Sequence, residues 1–234
     1  METGKIAIVT AAGRGMGAAI AMELKARGYA LALMSPSGAA EALAHALGGI
    51  GLTGSVTEPR DLQRLVETTL ETHGRIDAVV NNTGHPPSGP LLDIGDADWH
   101  AGLDIVLLNV VRMARLVTPI MEKQGKGAFV NISTYAAIEP EAAFPVSSSL
   151  RAGLSAFTKL YADRYAKTGI RMNNLLPGFI DSYPESPERR ASIPAGRYGK
   201  VAEIAKAAAF LLSDDASYLT GQNIRVDGGL TRSI

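Results

Sequence analysis

Apolar residues along the chain fall into short runs that alternate with longer segments of helical periodicity. Seven runs rich in Val, Ile, Leu and Ala predict strands over residues 5–10, 29–34, 50–53, 76–80, 127–133, 170–176 and 223–226. The first runs are almost continuously apolar, which is typical of strands that are buried on both faces of a sheet. A sheet covered on both sides is therefore expected.

The segments between these runs have the spacing of amphipathic or buried helices. Helices are predicted from after Gly17 to the Arg27-Gly28 stop and over 41–47, 61–73, 98–124, 147–168 and 201–212. Strict alternation of strand and helix predicts one α/β domain over 1–234, a doubly wound parallel sheet of about seven strands in three layers. Ligands of such sheets bind beyond the carboxyl ends of the strands.

A glycine-rich turn joins the first strand to the first helix. Glycines allow the backbone to approach a pyrophosphate closely, and the N-terminus of a helix offers unpaired N–H groups and a positive dipole end. The turn therefore predicts a dinucleotide site. The residues expected to contact the cofactor there are Ala11, Gly13, Arg14, Gly15, Met16 and Gly17.

Composition excludes several other functions. The 23 basic and 23 acidic residues cancel, so no electrostatic footprint for nucleic acid or an anionic membrane is present. No apolar run approaches a spanning helix, and there is no cysteine for disulfides or thiolate catalysis. The four histidines lack the spacing of metal ligands, so no metal site is expected. A cytoplasmic location is the default expectation.

Three motifs in the same order resemble the short-chain dehydrogenase/reductase family. Its T-G-x-x-x-G-x-G pattern matches residues 10–17 with Ala11 in the first glycine slot, and its N-N-A-G matches residues 81–84 with Thr83 in the alanine slot. Its P-G after the sixth strand matches Pro177-Gly178. The resemblance implies a Rossmann fold, an oxidoreductase with a nicotinamide cofactor and a small-molecule substrate, and a homotetramer or homodimer.

The residues near the adenosine ribose favour NADP(H) over NAD. An NAD-binding protein usually carries Asp or Glu after the second strand, whereas this chain has Ser35-Pro36-Ser37. Arg14 can pair with a 2′-phosphate, although a solvated arginine on a turn is the alternative. The family often has Asp where Ser55 stands. By resemblance, the other cofactor contacts are Ser35, Ser55, Val56, Asn82, Thr83, Gly84, Arg151, Pro177, Gly178 and Ile180.

The positions that carry the family's chemistry are all changed. The family uses Asn, Ser, Tyr and Lys, and its spacing places Val106, Thr134, Ser147 and Arg151 in these slots. Thr134 keeps a hydroxyl that can orient a carbonyl. Arg151 keeps a charge that can hold ribose hydroxyls, but it does not exchange protons. Ser147 lacks the phenol that normally donates the proton, so ordinary ketone reduction is in doubt.

Tyr135 and Asn109 are the candidate replacements. The 2,4-dienoyl-CoA reductase branch of the family is similar, because it also has Ser in the Tyr slot, a Tyr just after the fifth strand and an Asn further along the long helix. That branch keeps Lys where this chain has Arg151, and its spacing differs by about one residue. Tyr135 could instead be a rim aromatic, and Asn109 a polar residue on the helix surface.

Residues 181–192 occupy the place of a substrate lid and are too rich in proline for a long helix. Four basic residues in and after this segment could meet the phosphate of an acyl-CoA thioester or could be solvated; they are Arg189, Arg190, Arg197 and Lys200. Tyr183 is a possible second phenol. Three functions stay open: a reductase of activated or conjugated carbonyls, a non-catalytic NADP-binding sensor or partner subunit, and an ordinary carbonyl reductase.

Overall fold

A computed structural model describes residues 4–234 of the chain. Its sheet has seven parallel strands in the order β3-β2-β1-β4-β5-β6-β7. The strands are β1 (Ile6–Thr10), β2 (Ala30–Ser35), β3 (Ile50–Thr53), β4 (Ala78–Asn81), β5 (Gly127–Ile132), β6 (Ile170–Pro177) and β7 (Asn223–Val226). The strand order changes direction between β1 and β4, which opens a crevice at their carboxyl ends.

Eight α-helices connect the strands. They are α1 (Gly15–Ala26), α2 (Ala39–Leu47), α3 (Pro59–His73), α4 (Asp96–Leu103), α5 (Asn109–Gln124), α6 (Pro145–Tyr165), α7 (Pro187–Ser192) and α8 (Val201–Leu212). Within the described residues, none of them combines the length and apolar character needed to cross a bilayer.

Two apolar cores cover the two faces of the sheet. One core joins the sheet to α1, α2 and α8 through buried residues such as Ile20, Ala44 and Ile204. The other joins it to α3, α5 and α6 through residues such as Leu65 and Met113. The expected three-layer, doubly wound fold is confirmed.

Most boundaries differ from expectation by one to three residues, and two differences have a visible cause in the structure. The fourth strand begins at Ala78 rather than Ile76, because the main chain of Ile76 exchanges hydrogen bonds with the side chain of Gln124 (3.0 and 2.8 Å). The long helical region after Asp96 is interrupted by a π-helical turn, Asp104–Leu108. Such turns insert one residue into an α-helix and often occur at functional sites.

Four asparagines stand side by side across β4, β5, β6 and β7. The strand register aligns Asn81, Asn131, Asn174 and Asn223, and each amide donates to the next side-chain oxygen at 2.8, 2.9 and 2.8 Å. Thr158 of α6 closes the centre by donating to Asn174 (2.9 Å) and accepting from Asn131 (3.2 Å). We call this set the asparagine ladder. It joins the strands through side chains as well as through the backbone.

Candidate active site

The turn after β1 is attached to β4 by hydrogen bonds of Thr10 and Asn82. The Thr10 hydroxyl donates to the carbonyl of Asn82 (2.7 Å) and accepts from the Asn82 amide (3.0 Å). The side-chain amide of Asn82 donates to the carbonyl of Ala11 (3.2 Å). Asn82, predicted as a cofactor contact, thus braces the turn that would hold the pyrophosphate.

Glycines make the turn tight enough to receive a phosphate group. A Cβ on Gly17 would lie 2.3 Å from the carbonyl oxygen of Ala11, so a side chain there cannot be accommodated without moving the turn. Gly15 begins α1 with φ +55°, in the left-handed region. The first N–H groups of α1 at Gly15, Met16 and Gly17 have no partner within the helix. This geometry suits an anion.

Ala11 adopts a backbone conformation that favours glycine. Its φ of +46° is the one positive value at a non-glycine residue between residues 4 and 234. The family's motif has glycine in this slot, and the structure explains why. Alanine reproduces the turn at the cost of strain of about 1 kcal/mol.

Arg14 and Ser35 are the two residues on which the prediction of the ribose contacts depends. Arg14 is exposed at the N-cap of α1. Ser35 is buried at the end of β2, where its hydroxyl donates to the carbonyl of Ser37 (2.7 Å) and accepts from the amide of Ala40 (3.1 Å). A Cβ on Gly13 would lie 2.9 Å from this hydroxyl. Ser35 therefore shapes the loop, and Arg14 is the residue able to meet a 2′-phosphate.

The loop after β3 is held by Asp61 of α3. Its carboxylate accepts from the main-chain amide of Ser55 (2.9 Å), and the Ser55 hydroxyl pairs with that of Thr57 (2.8 Å). Val56 is half-buried against the second core. Ser55 and Val56 stay predictions as adenine contacts.

Three buried polar atoms at the carboxyl ends of β4 and β5 have no hydrogen-bond partner among the described residues. They are the Thr83 hydroxyl, the Ser133 hydroxyl and Nε of Arg151. Buried polar atoms are nearly always paired in native proteins, so these three are exceptions close to the strand ends where ligands of such sheets bind.

Arg151 is almost fully buried on α6. Its guanidinium donates to the carbonyl of Ile132 at the end of β5 (2.6 Å). Burial lowers the pKa of Arg151 to about 10, so the group still carries its charge at neutral pH. A role for Arg151 in holding ribose hydroxyls stays a prediction.

Tyr135 contacts a carboxylate and a second aromatic ring, and its role as proton donor stays a prediction. Its hydroxyl donates to the carboxylate of Glu141, and its ring packs edge-on against Phe179 with centroids 5.5 Å apart. Burial, and then the hydrogen bond to Glu141, raises the pKa of Tyr135 well above its usual value. Its proton is therefore held more firmly than in an ordinary phenol. The geometry matches the alternative of a rim aromatic packed on its loop.

Of the three other tetrad positions, two carry a hydroxyl, Thr134 and Ser147, and one is apolar, Val106. Thr134 is half-buried at the end of β5, and its hydroxyl accepts from the amide of Ala136 (3.4 Å). Ser147 is half-buried in the first turn of α6, whereas Val106 is buried in the π-helical turn. Thr134 can still orient a carbonyl, and Val106 can only fill space.

Asn109 is buried, not on the helix surface. It is the first residue of α5, directly after the π-helical turn, and its side-chain amide donates to the carbonyl of Ile105. That bond occupies one donor of the amide and braces the interruption of the helix. A catalytic role for Asn109 stays a prediction.

The residues after β6 approach both halves of the crevice. The Gly178 amide donates to the carbonyl of Val226 (3.1 Å), and Ile180 is buried and pairs with Gly199. Beyond them, Ser182 comes within 3.5 Å of the space a Gly15 Cβ would occupy, and Tyr183 meets the ring of His85. The predicted lid therefore spans the crevice from α1 to β4. Its only regular helix is the six-residue α7.

The basic residues near the lid are partly occupied. Arg197 makes two hydrogen bonds with Glu203 (2.7 and 2.9 Å), and Arg190 lies 3.9 Å from Glu185. Arg189 stacks over Phe179, 5.1 Å from the ring centroid. Arg189 also lines a groove of about 410 Å³ that runs past Tyr135. Three carboxylates line the same groove, those of Glu139, Glu141 and Glu188.

Sequence reasoning missed two residues of this site, Glu141 and His85. Glu141 contacts Tyr135 through a loop, and no spacing in the sequence indicates that pair. His85 could have been found, because it directly follows the Asn81–Gly84 motif at the carboxyl end of β4.

Comparison with known proteins places this geometry in context. Residues 10–231 match the sequence model of a family described as Enoyl-(Acyl carrier protein) reductase. The chain is 35% identical to 3-oxoacyl-(acyl-carrier-protein) reductase FabG of Escherichia coli K12, with 97% of each covered, and 36% identical to FabG of Thermotoga maritima over 75% of this chain and 74% of that protein.

A solved structure is also similar. It is YwfH, described as an NADPH-dependent reductase involved in bacilysin biosynthesis, with a TM-score of 0.93 and 26% identity. The alignment covers 98% of this chain and 99% of YwfH.

Proposed function

Because the chain belongs to the short-chain dehydrogenase/reductase family and is an oxidoreductase of the nicotinamide-dependent kind, we propose that it reduces an activated carbonyl or a conjugated enoyl or dienoyl substrate with NADPH. The observation that carries this proposal is the tight glycine turn before α1, where a Cβ on Gly17 would lie 2.3 Å from the carbonyl oxygen of Ala11.

The chain's residues have distinct parts in this proposal. The glycine turn and the first N–H groups of α1 hold the pyrophosphate, and Arg14 pairs with the 2′-phosphate. Arg151 holds the ribose hydroxyls, and Thr134 orients the substrate oxygen. When bound, NADPH supplies the hydride. The preference for NADPH over NADH is supported by exposed Arg14 and by the absence of a carboxylate at Ser35.

A thioester substrate is supported by the relatives. The names of the FabG proteins refer to 3-oxoacyl groups on a carrier protein, and the matching family model refers to an enoyl group on one. We propose an acyl thioester, on CoA or on a carrier protein, whose phosphate meets Arg189. We also propose a homotetramer or homodimer in the cytoplasm, as is common in the family.

Turnover assays test the proposal. NADPH oxidation would be followed with enoyl-CoA, dienoyl-CoA, 3-oxoacyl-CoA, quinone and simple ketone panels. Steady turnover of a thioester with NADPH preferred over NADH is expected. The variant Tyr135→Phe tests whether Tyr135 is the proton donor. A loss of rate at unchanged NADPH affinity would support that role, and a wild-type rate would exclude it.

A non-catalytic role is the second candidate. It is favoured by the four changed tetrad positions and by the engagement of Tyr135 with Glu141. In that case the protein would bind NADPH tightly, turn over no substrate in the panel and co-purify with an active reductase. Any steady turnover would eliminate it.

Ordinary ketone reduction with Ser147 or water as donor makes a different prediction. The double variant Ser147→Tyr with Arg151→Lys would then raise the rate on ketones sharply. An unchanged rate would show that the rest of the site no longer supports that chemistry.

A further inference from the structure

The segment after β7, residues 227–234, forms part of the wall of the groove that passes Tyr135. Leu230 lines this groove, and its side chain is half-buried, so part of its apolar surface stays open to a ligand. The rings of Tyr135 and Phe179 line the same groove just beyond the carboxyl ends of β5 and β6. Ligands of parallel sheets bind at this edge, so Leu230 borders the region where a substrate is expected.

Side chains of Arg225 and Asp227 give the segment a defined path. The Asp227 carboxylate accepts hydrogen bonds from the amides of Gly229 (3.0 Å) and Thr231 (3.1 Å) and from the Thr231 hydroxyl (2.7 Å). Nη1 of Arg225 donates to the Thr231 hydroxyl (3.2 Å). Leu230 lies inside this hydrogen-bonded stretch, so its neighbours on both sides hold its position in the groove wall.

Glu139 attaches the far end of the segment to the loop after β5. One of its carboxylate oxygens accepts from the main-chain amides of Arg232 (2.6 Å) and Ser233 (2.5 Å). Hydrogen bonds to an ionised acceptor are stronger than those between neutral groups. The near end of the segment contacts the lid, because the Ala195 amide donates to the Gly228 carbonyl (3.1 Å). The segment therefore joins the two loops that border the groove.

Each carboxylate of the groove already accepts a hydrogen bond from the protein. Glu139 accepts from the segment after β7, and Glu141 accepts from the Tyr135 hydroxyl. Glu188 accepts from the Ser186 hydroxyl (3.0 Å). Apart from these carboxylates and two further polar residues, Arg189 and Ser192, the groove is lined by apolar groups, those of Tyr135, Pro140, Phe179 and Leu230. These surfaces suit the apolar part of a substrate.

We propose that the segment after β7 determines the acyl-chain specificity of the reductase, with Leu230 in contact with the chain and Glu139 as the positioning residue that holds Leu230 in place. This inference rests on the proposed function, in which the substrate is an acyl thioester. Contact with Leu230 removes apolar surface from water, so longer acyl chains should be preferred until the groove is filled.

The test measures kcat and KM for N-acetylcysteamine thioesters with acyl chains of about four to about twelve carbons. These probes lack the phosphates of CoA, so they report on the acyl chain without a phosphate at Arg189. In the wild-type protein kcat/KM should rise with chain length through KM, by up to about fourfold for each methylene group that enters the groove.

Leu230→Ala should flatten this rise and lower kcat/KM of the longest chain about 10-fold, at unchanged NADPH affinity. The shortest chain should react as in the wild-type protein. Met22→Ala shortens an exposed apolar side chain of α1 and is the matched control, which should keep the wild-type series. Leu230→Trp makes the opposite change: its larger ring should exclude the longest chains and leave the shortest chain unaffected.

Variants of Glu139 test its positioning role. Glu139→Ala should flatten the chain-length series as Leu230→Ala does. The double variant should be no worse than either single variant, because Glu139 acts through Leu230. Glu139→Gln keeps an acceptor oxygen and should retain most of the chain-length dependence.

Three results would overturn the inference while the proposed function stands. One is a wild-type series that does not rise with chain length, and another is a series unchanged in Leu230→Ala and Leu230→Trp. The third is an equal loss at every chain length, which would place Leu230 beside the thiol part of the substrate. Additive losses in the double variant would exclude the positioning role of Glu139. Absence of turnover with every thioester would overturn the proposed function itself.

Discussion

The two halves of the crevice depend on different parts of the polypeptide: the cofactor half depends on the backbone and the substrate half on side chains. On the cofactor side, the turn after β1 relies on backbone geometry, on the absence of side chains at Gly15 and Gly17, and on main-chain groups braced by Asn82. On the substrate side, after β5 and along α6, each expected function belongs to a side chain. The cofactor side accommodates Ala11 and Thr83 in place of the usual residues, whereas the substrate side loses its phenol through one change. Sites built from backbone therefore resist divergence better than sites built from side chains.

The largest effect on the cofactor half is expected when a side chain is placed in the glycine turn after β1. Gly17→Val should abolish measurable NADPH binding, a loss of more than about 100-fold, because its Cβ would meet the Ala11 carbonyl. Gly153→Ala on exposed α6, where a Cβ meets open space, is the control and should bind normally. Fluorescence titration measures both, and wild-type affinity in Gly17→Val would show that the turn is flexible.

Variants of the asparagine ladder test how much a side-chain network contributes to the free energy of unfolding. Asn131→Ala should lower the free energy of unfolding by about 2 to 3 kcal/mol, because it removes the central member and leaves the amide of Asn81 without its acceptor. Asn223→Ala removes only the exposed terminal member and should cost under about 1 kcal/mol. Urea denaturation gives both values, and equal losses would contradict a cooperative network.

Within the cofactor half of the crevice, we expect the preference for NADPH over NADH to depend on the side chain of Arg14. Arg14→Ala should weaken NADPH binding about 10- to 30-fold, or about 1.4 to 2 kcal/mol, and leave NADH binding unchanged. Arg27→Ala, at the other end of α1 and paired with Glu23, serves as the matched charge control. Equal losses for the two cofactors would remove the 2′-phosphate interpretation.

The smallest effect is expected at Ala11. Ala11→Gly relieves about 1 kcal/mol of strain but makes the unfolded chain more flexible, so a net gain of about 0.5 kcal/mol is expected. NADPH affinity should stay the same. Ala18→Gly, inside α1, should instead lose about 1 kcal/mol. Thermal unfolding of both variants checks the sign.

Periodicity and turn chemistry were sufficient to predict the fold. The seven strands, their parallel arrangement and the start of α3 at Pro59 follow from local signals, because apolar runs and glycine or proline positions act over a few residues. The cofactor turn was predictable for the same reason: its function depends on glycines at fixed spacing.

Contacts between distant segments could not be predicted in this way. The asparagine ladder needs the register of four strands, which no single segment carries. The bond between Tyr135 and Glu141 depends on the path of a loop, and it changes the chemical expectation for the phenol. His85 stood beside a recognised motif, but the ring that it packs against, Tyr183, comes from a distant part of the chain.

The π-helical turn at Asp104–Leu108 has a consequence for how this branch of the family diverged. A π-turn is the form in which a helix absorbs an inserted residue without disturbing its ends. A one-residue insertion or deletion in this segment would rotate every later side chain of α5 by about 100° relative to the first part of the helix. Positions at equal counts from Trp99 in two relatives can therefore face different neighbours, so counting residues along this helix does not by itself identify equivalent positions.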